Sequence, residues 1–305
     1  MSAALLVPCY NATCFLPRFK EQVKRLHPSF DEVLLADDAS QDDTAAMAES
    51  AGFQVLRLPR NIGPGGARNA LARASTAEWI HFHDVDDEIA PDYLQRVRSA
   101  AVDGTHAVFH FTDFIDEVTR QLLIRWELDP GRLAADAAEH LLLRPMPTMS
   151  SFLRREKFLS LGGFDETHRC FEDGDFHFRL ACSGARLVLL AEVLEWSLRH
   201  GRGAGANQLY CFQCRLAFLE DYAVTAPVRL HRAIAAEAER AAVNLLRFED
   251  RAGAQRAIAL ARRLGRIVPE TRNPLLRALR TVLPAATVLR WQDRWRSGRQ
   301  KTSSP

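Results

Sequence analysis

The sequence predicts an α/β fold, a parallel sheet with helices on both faces, continued by an all-helical C-terminal extension. Three observations carry this. Up to about residue 100, short apolar runs alternate with helical patterns, as βαβ units do. Each of the first four apolar runs ends in polar or glycine-rich sequence. Beyond about residue 205 every stretch reads as helix, rich in Ala, Leu and Arg.

Taken in order, strands are expected at 3–9, 32–36, 54–58 and 79–82, with helices near 12–26, 42–51, 66–76 and 91–100. From 105 to 200 the alternation loosens and the sheet becomes mixed. THAVFHF, RQLLIRW, MSSFLRR and ARLVLLAEV read as strands, with helices near 133–143, 154–161 and 173–183. In the extension, 228–264 reads as a helical hairpin turning around residues 248–253. No internal repeat is visible.

Composition narrows the classes. A hydrophobic share of 47% with 26% charged residues is ordinary for a globular protein, and a net charge of +2 argues against nucleic acid as a partner. No apolar run approaches the ~20 residues that span a bilayer. The opening MSAALLVPCYN is too short and lacks the basic residues of a secretory leader, so the expected compartment is the cytoplasm. The six cysteines are then expected as free thiols. Cys211-x-x-Cys214 lacks the second ligand pair of a zinc site and reads as two small hydrophobes on a helix.

Ligands of open α/β sheets bind beyond the carboxyl ends of the strands. Here those ends read VPCYN, ADDAS, NIGPGGARN and HFHDVDDE. One polar tip is an ordinary turn or helix cap. Four in succession point to one cleft. In the last, Asp84, Asp86 and Asp87 crowd into four positions, more acid than a turn needs. Hard carboxylate oxygens at a rigid strand end suit a divalent cation bridging two phosphates.

Five segments in order, VPCYN, LLADDASQDDT, NIGPGGARNAL, WIHFHDVDDE and GGFDETHRCFEDGDFHFRL, resemble the family 2 glycosyltransferases, over residues 3 to about 200. The resemblance implies the GT-A fold, with a nucleotide-binding half at 1–104, an acceptor-binding half at 105–205 and the helical extension at 206–305. It implies an inverting transfer from a nucleotide-diphosphate sugar, with a UDP-sugar favoured, and a divalent metal, Mn²⁺ or Mg²⁺. By that resemblance Asp86 and Asp87 contact ribose and metal, with Asp84 close by, and His200 is a further metal ligand. Tyr10 stacks on the base and Asp38 reads uracil. Pro8, Asn11, Asn61, Gly63 and Arg68 line the nucleotide, and Arg199 or Arg202 meets the diphosphate. The general base is Asp173, second acid of the Glu172-Asp173 pair, near a helix start where the dipole favours its ionised form. Glu172 and Asp175 fit the base on chemistry alone, and GRGAGAN reads as a lid or a surface loop.

Other functions fit less well. A nucleotidyltransferase of this fold carries a glycine-rich signature with Lys near the N-terminus, and VPCYNATCFLP has none. A processive synthase carries QxxRW after the base, whereas QLLIRW precedes Asp173 and has one residue too many. A non-catalytic nucleotide-binding or scaffold protein is the alternative from another class. The expected acceptor is a glycan or lipid-linked saccharide. The tail from 272 to 301 is basic and amphipathic, with Trp291 and Trp295. It suits either the anionic inner face of the cell membrane or packing on the catalytic domain or a second subunit.

Overall fold

In the computed structural model, residues 1–199 and 207–265 are described, together with Thr287 and Trp291. The expectations placed on the tail and on the GRGAGAN lid otherwise lie outside the described residues. The chain divides into two compact units, Met1–Ala204 and Gly205–Pro305.

The first unit opens with β1 (Ala3–Cys9), α1 (Leu16–Arg25), β2 (Glu32–Asp37), α2 (Thr44–Ser50), β3 (Gln54–Arg57), α3 (Gly63–Ala74) and β4 (Trp79–Phe82). These four strands pair in parallel in the order β3-β2-β1-β4. A strand buried on both faces is apolar throughout rather than alternating. In β1, Ala3, Leu5 and Val7 enter one hydrophobic core while Ala4 and Leu6 enter the other.

The chain continues through β5 (Glu88–Ile89), α4 (Tyr93–Ala100), β6 (Ala107–Asp116), β7 (Leu122–Trp126), α5 (Pro130–Ala135), α6 (Ala137–Leu143), β8 (Ser151–Arg154), α7 (Arg155–Ser160), α8 (Glu172–Cys182) and β9 (Leu187–Arg199). The sheet extends as β4-β8-β6-β9-β5, with β7 on β6. It is mixed: β8 runs antiparallel to β4 and β6, and β9 parallel to β6.

Helix α1 starts at Leu16 rather than 12, β6 and β9 run on to Asp116 and Arg199, and three further differences have a clear physical reason. Helix α3 starts at Gly63 rather than 66, because Asp38 satisfies the first free backbone N–H groups. The helix expected at 133–143 is two, broken at Asp136, whose extended backbone lets its carboxylate cap Glu139 N. Strand β5 is two residues long and exists through its pairing with β9.

The second unit contains α9 (Gln208–Thr225), α10 (His231–Arg247) and α11 (Arg251–Arg263). The last two form the expected hairpin, with Asp250 capping α11 through Gly253 N at 2.8 Å. Cys9, Cys14, Cys182 and Cys214 are thiols, Cys9 and Cys214 buried and Cys14 and Cys182 exposed. Cys170 and Cys211 depart from the expected free thiols, each being in a disulfide. Among the described residues, no helix is long and apolar enough to cross a membrane.

Candidate active site

The four strand tips are joined by hydrogen bonds. Asp38 N donates to Cys9 O at 2.8 Å, and Asn11 N to Ser40 Oγ at 3.0 Å, tying the β1 tip to the β2 tip. Asn11 has φ 50°, a conformation Asn tolerates better than most residues, and its Oδ1 accepts from Gln41 N. Pro8 pairs in register with Ala36, and Tyr10 stands exposed at the rim.

Asp38 is buried, and its two oxygens accept from Ile62 N at 2.8 Å and Gly63 N at 2.9 Å. Asn61 Nδ2 donates to Asp38 O. Burial raises the Asp38 carboxyl, and the two N–H groups oppose that rise only in part. The structure therefore places Asp38 as the clasp between β2 and α3. Gly63, at φ 83°, lies against the Arg169 side chain, which sequence reasoning passed over.

Arg68 leaves α3 toward the fourth tip and is buried. Its guanidinium spans two carboxylates: Asp84 Oδ1 at 2.7 Å and Glu172 Oε1 at 2.9 Å. Burial would raise the Asp84 carboxyl, but the bonded guanidinium outweighs it and holds the pKa below the usual range. Asp84 is thus charge-compensated within the protein.

Asp87 is the opposite case. It is buried, and burial followed by the charges of Asp84 and Asp86 pushes its carboxyl well above the ordinary carboxylate range. Leu198 N donates to its Oδ1 at 2.7 Å. A carboxylate raised by burial and like charges is relieved by a cation, so Asp87 with neighbouring Asp86 fits a divalent metal. Arg18 holds this turn by donating to Asp86 O. Below the aspartates, His81, His83 and Glu195 gather in the core, with metal-ligand-type atoms within 4.8 Å of one another.

In the segment that follows GGFD, Phe171 takes φ 71° and α8 begins at Glu172. Asp173 occupies the first turn, where its Oδ1 accepts from Gly174 N at 2.6 Å. The helix start does not keep this carboxyl low. Burial first, then the Glu172 charge, pushes it up to about 7. That value is suited to a group that must take a proton near neutrality. Asp175 is bound by Arg179 at 2.7 Å. Asn69 clamps the GGFD segment: its Nδ2 donates to Phe164 O at 2.8 Å and its Oδ1 accepts from Phe164 N at 2.9 Å.

The structure thus links Asp84, Arg68 and the Glu172-Asp173 pair, and joins Asn11, Asp38, Asn61 and Gly63 at the neighbouring tips. Arg199 follows Leu198 at the end of β9, with its guanidinium 4.8 Å from the centre of the Phe114 ring. That places it one residue beyond the N–H that holds Asp87. His200 and Arg202 lie outside the described residues.

The pattern of the family described as "Glycosyl transferase family 2" matches residues 4–161. Among curated relatives, an uncharacterized glycosyltransferase of Haemophilus influenzae is 26% identical over 185 residues, 58% of this chain and 61% of that protein. The pre-mycofactocin glycosyltransferase of Mycobacterium tuberculosis is 28% identical over 195 residues, 60% of this chain and 40% of that protein. The chain therefore spans less than two thirds of these relatives' length. Among solved structures, S. aureus TarS 1-349 in complex with UDP-GlcNAc matches with a TM-score of 0.59 at 14% identity, over 86% of this chain and 91% of that one. The mannosyltransferase PcManGT of Pyrobaculum calidifontis, in complex with GDP-Man and Mn2+, matches with a TM-score of 0.59 at 18% identity, over 96% and 79%. These likenesses establish a GT-A-like fold. With the pattern covering half of its length, the chain belongs to glycosyl transferase family 2.

Proposed function

We propose that the chain is an inverting, metal-dependent glycosyltransferase, passing a hexosyl or N-acetylhexosaminyl group from a UDP-sugar to a hydroxyl of a glycan or lipid-linked saccharide. The observation that carries this is the Asp84–Arg68–Glu172 bridge. It sets the acid-rich donor tip and the Glu172-Asp173 pair around one guanidinium.

In this reading Tyr10 offers its exposed ring to the base, beside the β2 tip that Asp38 fastens. Pro8, Asn11, Asn61 and Gly63 form the wall around the nucleotide. Asp86 and Asp87 hold Mn²⁺ or Mg²⁺, and the bound ion supplies counter-charge for the departing diphosphate. Arg68 keeps Asp84 in place. Arg199, or Arg202 in its stead, meets the diphosphate, and His200 is the further metal ligand that the family resemblance implies. Asp173 takes the proton of the acceptor hydroxyl as its oxygen bonds to the anomeric carbon, and the bond from that carbon to the UDP oxygen breaks on the opposite face. The UDP and UDP-GlcNAc complexes of TarS favour uridine, whereas the GDP-Man complex of PcManGT makes guanosine the control.

The test is calorimetry with UDP and with GDP, each with and without Mn²⁺, beside a hydrolysis screen of UDP-glucose, UDP-GlcNAc and GDP-mannose. The expected result is Mn²⁺-dependent UDP binding that Asp87→Ala weakens, with turnover of at least one UDP-sugar. Binding of neither nucleotide overturns the proposal. Binding without turnover of any donor or acceptor points to the non-catalytic alternative, and full activity in EDTA removes the metal.

A further inference from the structure

The His81, His83 and Glu195 cluster has the composition of a metal site, yet its hydrogen-bond partners describe something else. Gln22 Nε2 lies 3.0 Å from His83 Nε2 and 3.3 Å from Asp87 O, while Gln22 Oε1 accepts from Ile89 N at 3.3 Å. Two contacts therefore orient the Gln22 amide with its NH₂ toward His83. His83 Nε2 must then be the acceptor, which puts the proton on Nδ1. That N–H donates to Glu195 Oε1 at 2.9 Å. Metal ligation by His83 Nδ1 needs the reverse tautomer, and Gln22 would oppose it donor to donor.

His81 gives the same answer. Tyr93 Oη lies 2.8 Å from His81 Nδ1, and His81 Nε2 lies 2.7 Å from Glu195 Oε1. With Tyr93 donating, His81 carries its proton on Nε2 and gives it to the carboxylate. Ser151 O is also 3.0 Å from Nδ1, but a proton there would leave a bare Nε2 facing the carboxylate, acceptor against acceptor. Every contact in the row Tyr93–His81–Glu195–His83–Gln22 then has one donor and one acceptor.

The row spans elements that no ladder connects. The sheet order sets β8 and β6 between β4 and β9, yet Glu195 of β9 receives both histidines of the β4 end. Two parts of this arrangement lead to Asp87: the Gln22 end of the row and the β9 backbone that carries Glu195. Gln22 holds its carbonyl, and Leu198, three residues beyond Glu195, holds its carboxylate. We propose that Glu195, His83 and Gln22 are positioning residues for Asp87, a buried polar brace that fixes the aspartate turn against β9.

The inference rests on the proposed function only for what Asp87 does, not for what holds it. It is tested by hydrogen–deuterium exchange of the 83–90 segment in full-length protein, with Mn²⁺-dependent UDP binding measured alongside. Gln22→Met removes both donors from a partly exposed site on α1. Glu195→Ala removes the shared acceptor, and Glu195→Gln keeps an acceptor oxygen. Faster exchange of 83–90 is expected in Gln22→Met and Glu195→Ala, with β3 unchanged and Glu195→Gln close to wild type. The Mn²⁺ concentration for half-maximal UDP binding should rise roughly 3- to 10-fold in Gln22→Met, the worth of one hydrogen bond. Unchanged exchange of 83–90 in both variants overturns the brace. So does one tightly held zinc per wild-type chain that is lost in Glu195→Ala. A loosened turn in a protein whose wild type shows no Mn²⁺-dependent UDP binding upholds the brace and sinks the proposed function instead.

Discussion

Replacing Arg68 by methionine isolates the bridge between the two sides of the candidate site. Methionine keeps most of the apolar stem and removes the guanidinium. Glu172 is 6% exposed and loses the Arg68 guanidinium, so this arm carries most of the loss. Breaking a buried pair from one side costs about 3–5 kcal/mol. The Asp84 side chain is 40% exposed, so its arm adds no more than about 1 kcal/mol. In urea, with a slope of about 2 kcal/mol/M, the midpoint should fall by roughly 1.5–2.5 M. Tryptophan fluorescence can follow this, since Trp79, Trp126 and Trp196 lie in the first unit. Adding Glu172→Gln to Arg68→Met removes the orphaned charge and should restore about 1–2 kcal/mol. The Asp84 arm also predicts a pH dependence. Its folded pKa is depressed, so its stabilisation is present above the unfolded value and lost as pH falls through the folded one. The gap between wild type and Arg68→Met should therefore narrow below about pH 4. A loss under about 1 kcal/mol, or a double variant weaker than the single one, would refute the bridge as a source of stability.

Asp173→Asn should lower turnover by ~10²–10⁴-fold while UDP affinity, measured by calorimetry, changes little. Because burial and Glu172 push the Asp173 carboxyl up to about 7, kcat/KM should rise with pH through that region; a flat profile between pH 5.5 and 8.5 would exclude it as the base. Gly174→Ala places a Cβ 2.4 Å from Phe171 Cζ. The displaced ring should cost about 1–3 kcal/mol by thermal unfolding and reduce turnover in the folded fraction, since Asp173 is the adjacent residue.

The parallel half of the sheet was legible chiefly through β1 and β4, which are buried on both faces and so read as continuous apolar runs. The start of α3 was not. Gly63-Pro64-Gly65-Gly66 has the composition of a loop, and only Asp38, 25 residues earlier, makes its first N–H groups a helix start. The acidic tip and the Glu172-Asp173 pair were visible as local patterns. Their connection was not: Arg68 and Glu172 are 104 residues apart, and no periodicity relates them. Gln22 and Glu195 carry no motif at all and matter through where α1 and β9 bring them. For Asp173 the local argument pointed the wrong way. A helix start favours a carboxylate by about 0.3–1 kcal/mol, less than burial and a neighbouring charge cost it.

Asn69 holds the GGFD segment by its peptide groups, accepting from one N–H and donating to one C=O of Phe164, as a neighbouring strand would. A grip on the backbone is indifferent to which side chain position 164 carries, so that position is free to change with the core around it. The constraint moves to Gly163, at φ 70°, where a Cβ would stand 2.3 Å from Asn69 Oδ1. Tolerance and intolerance to substitution therefore sit side by side on consecutive residues, and a saturation scan should find position 164 permissive for large apolar residues where 163 accepts glycine alone.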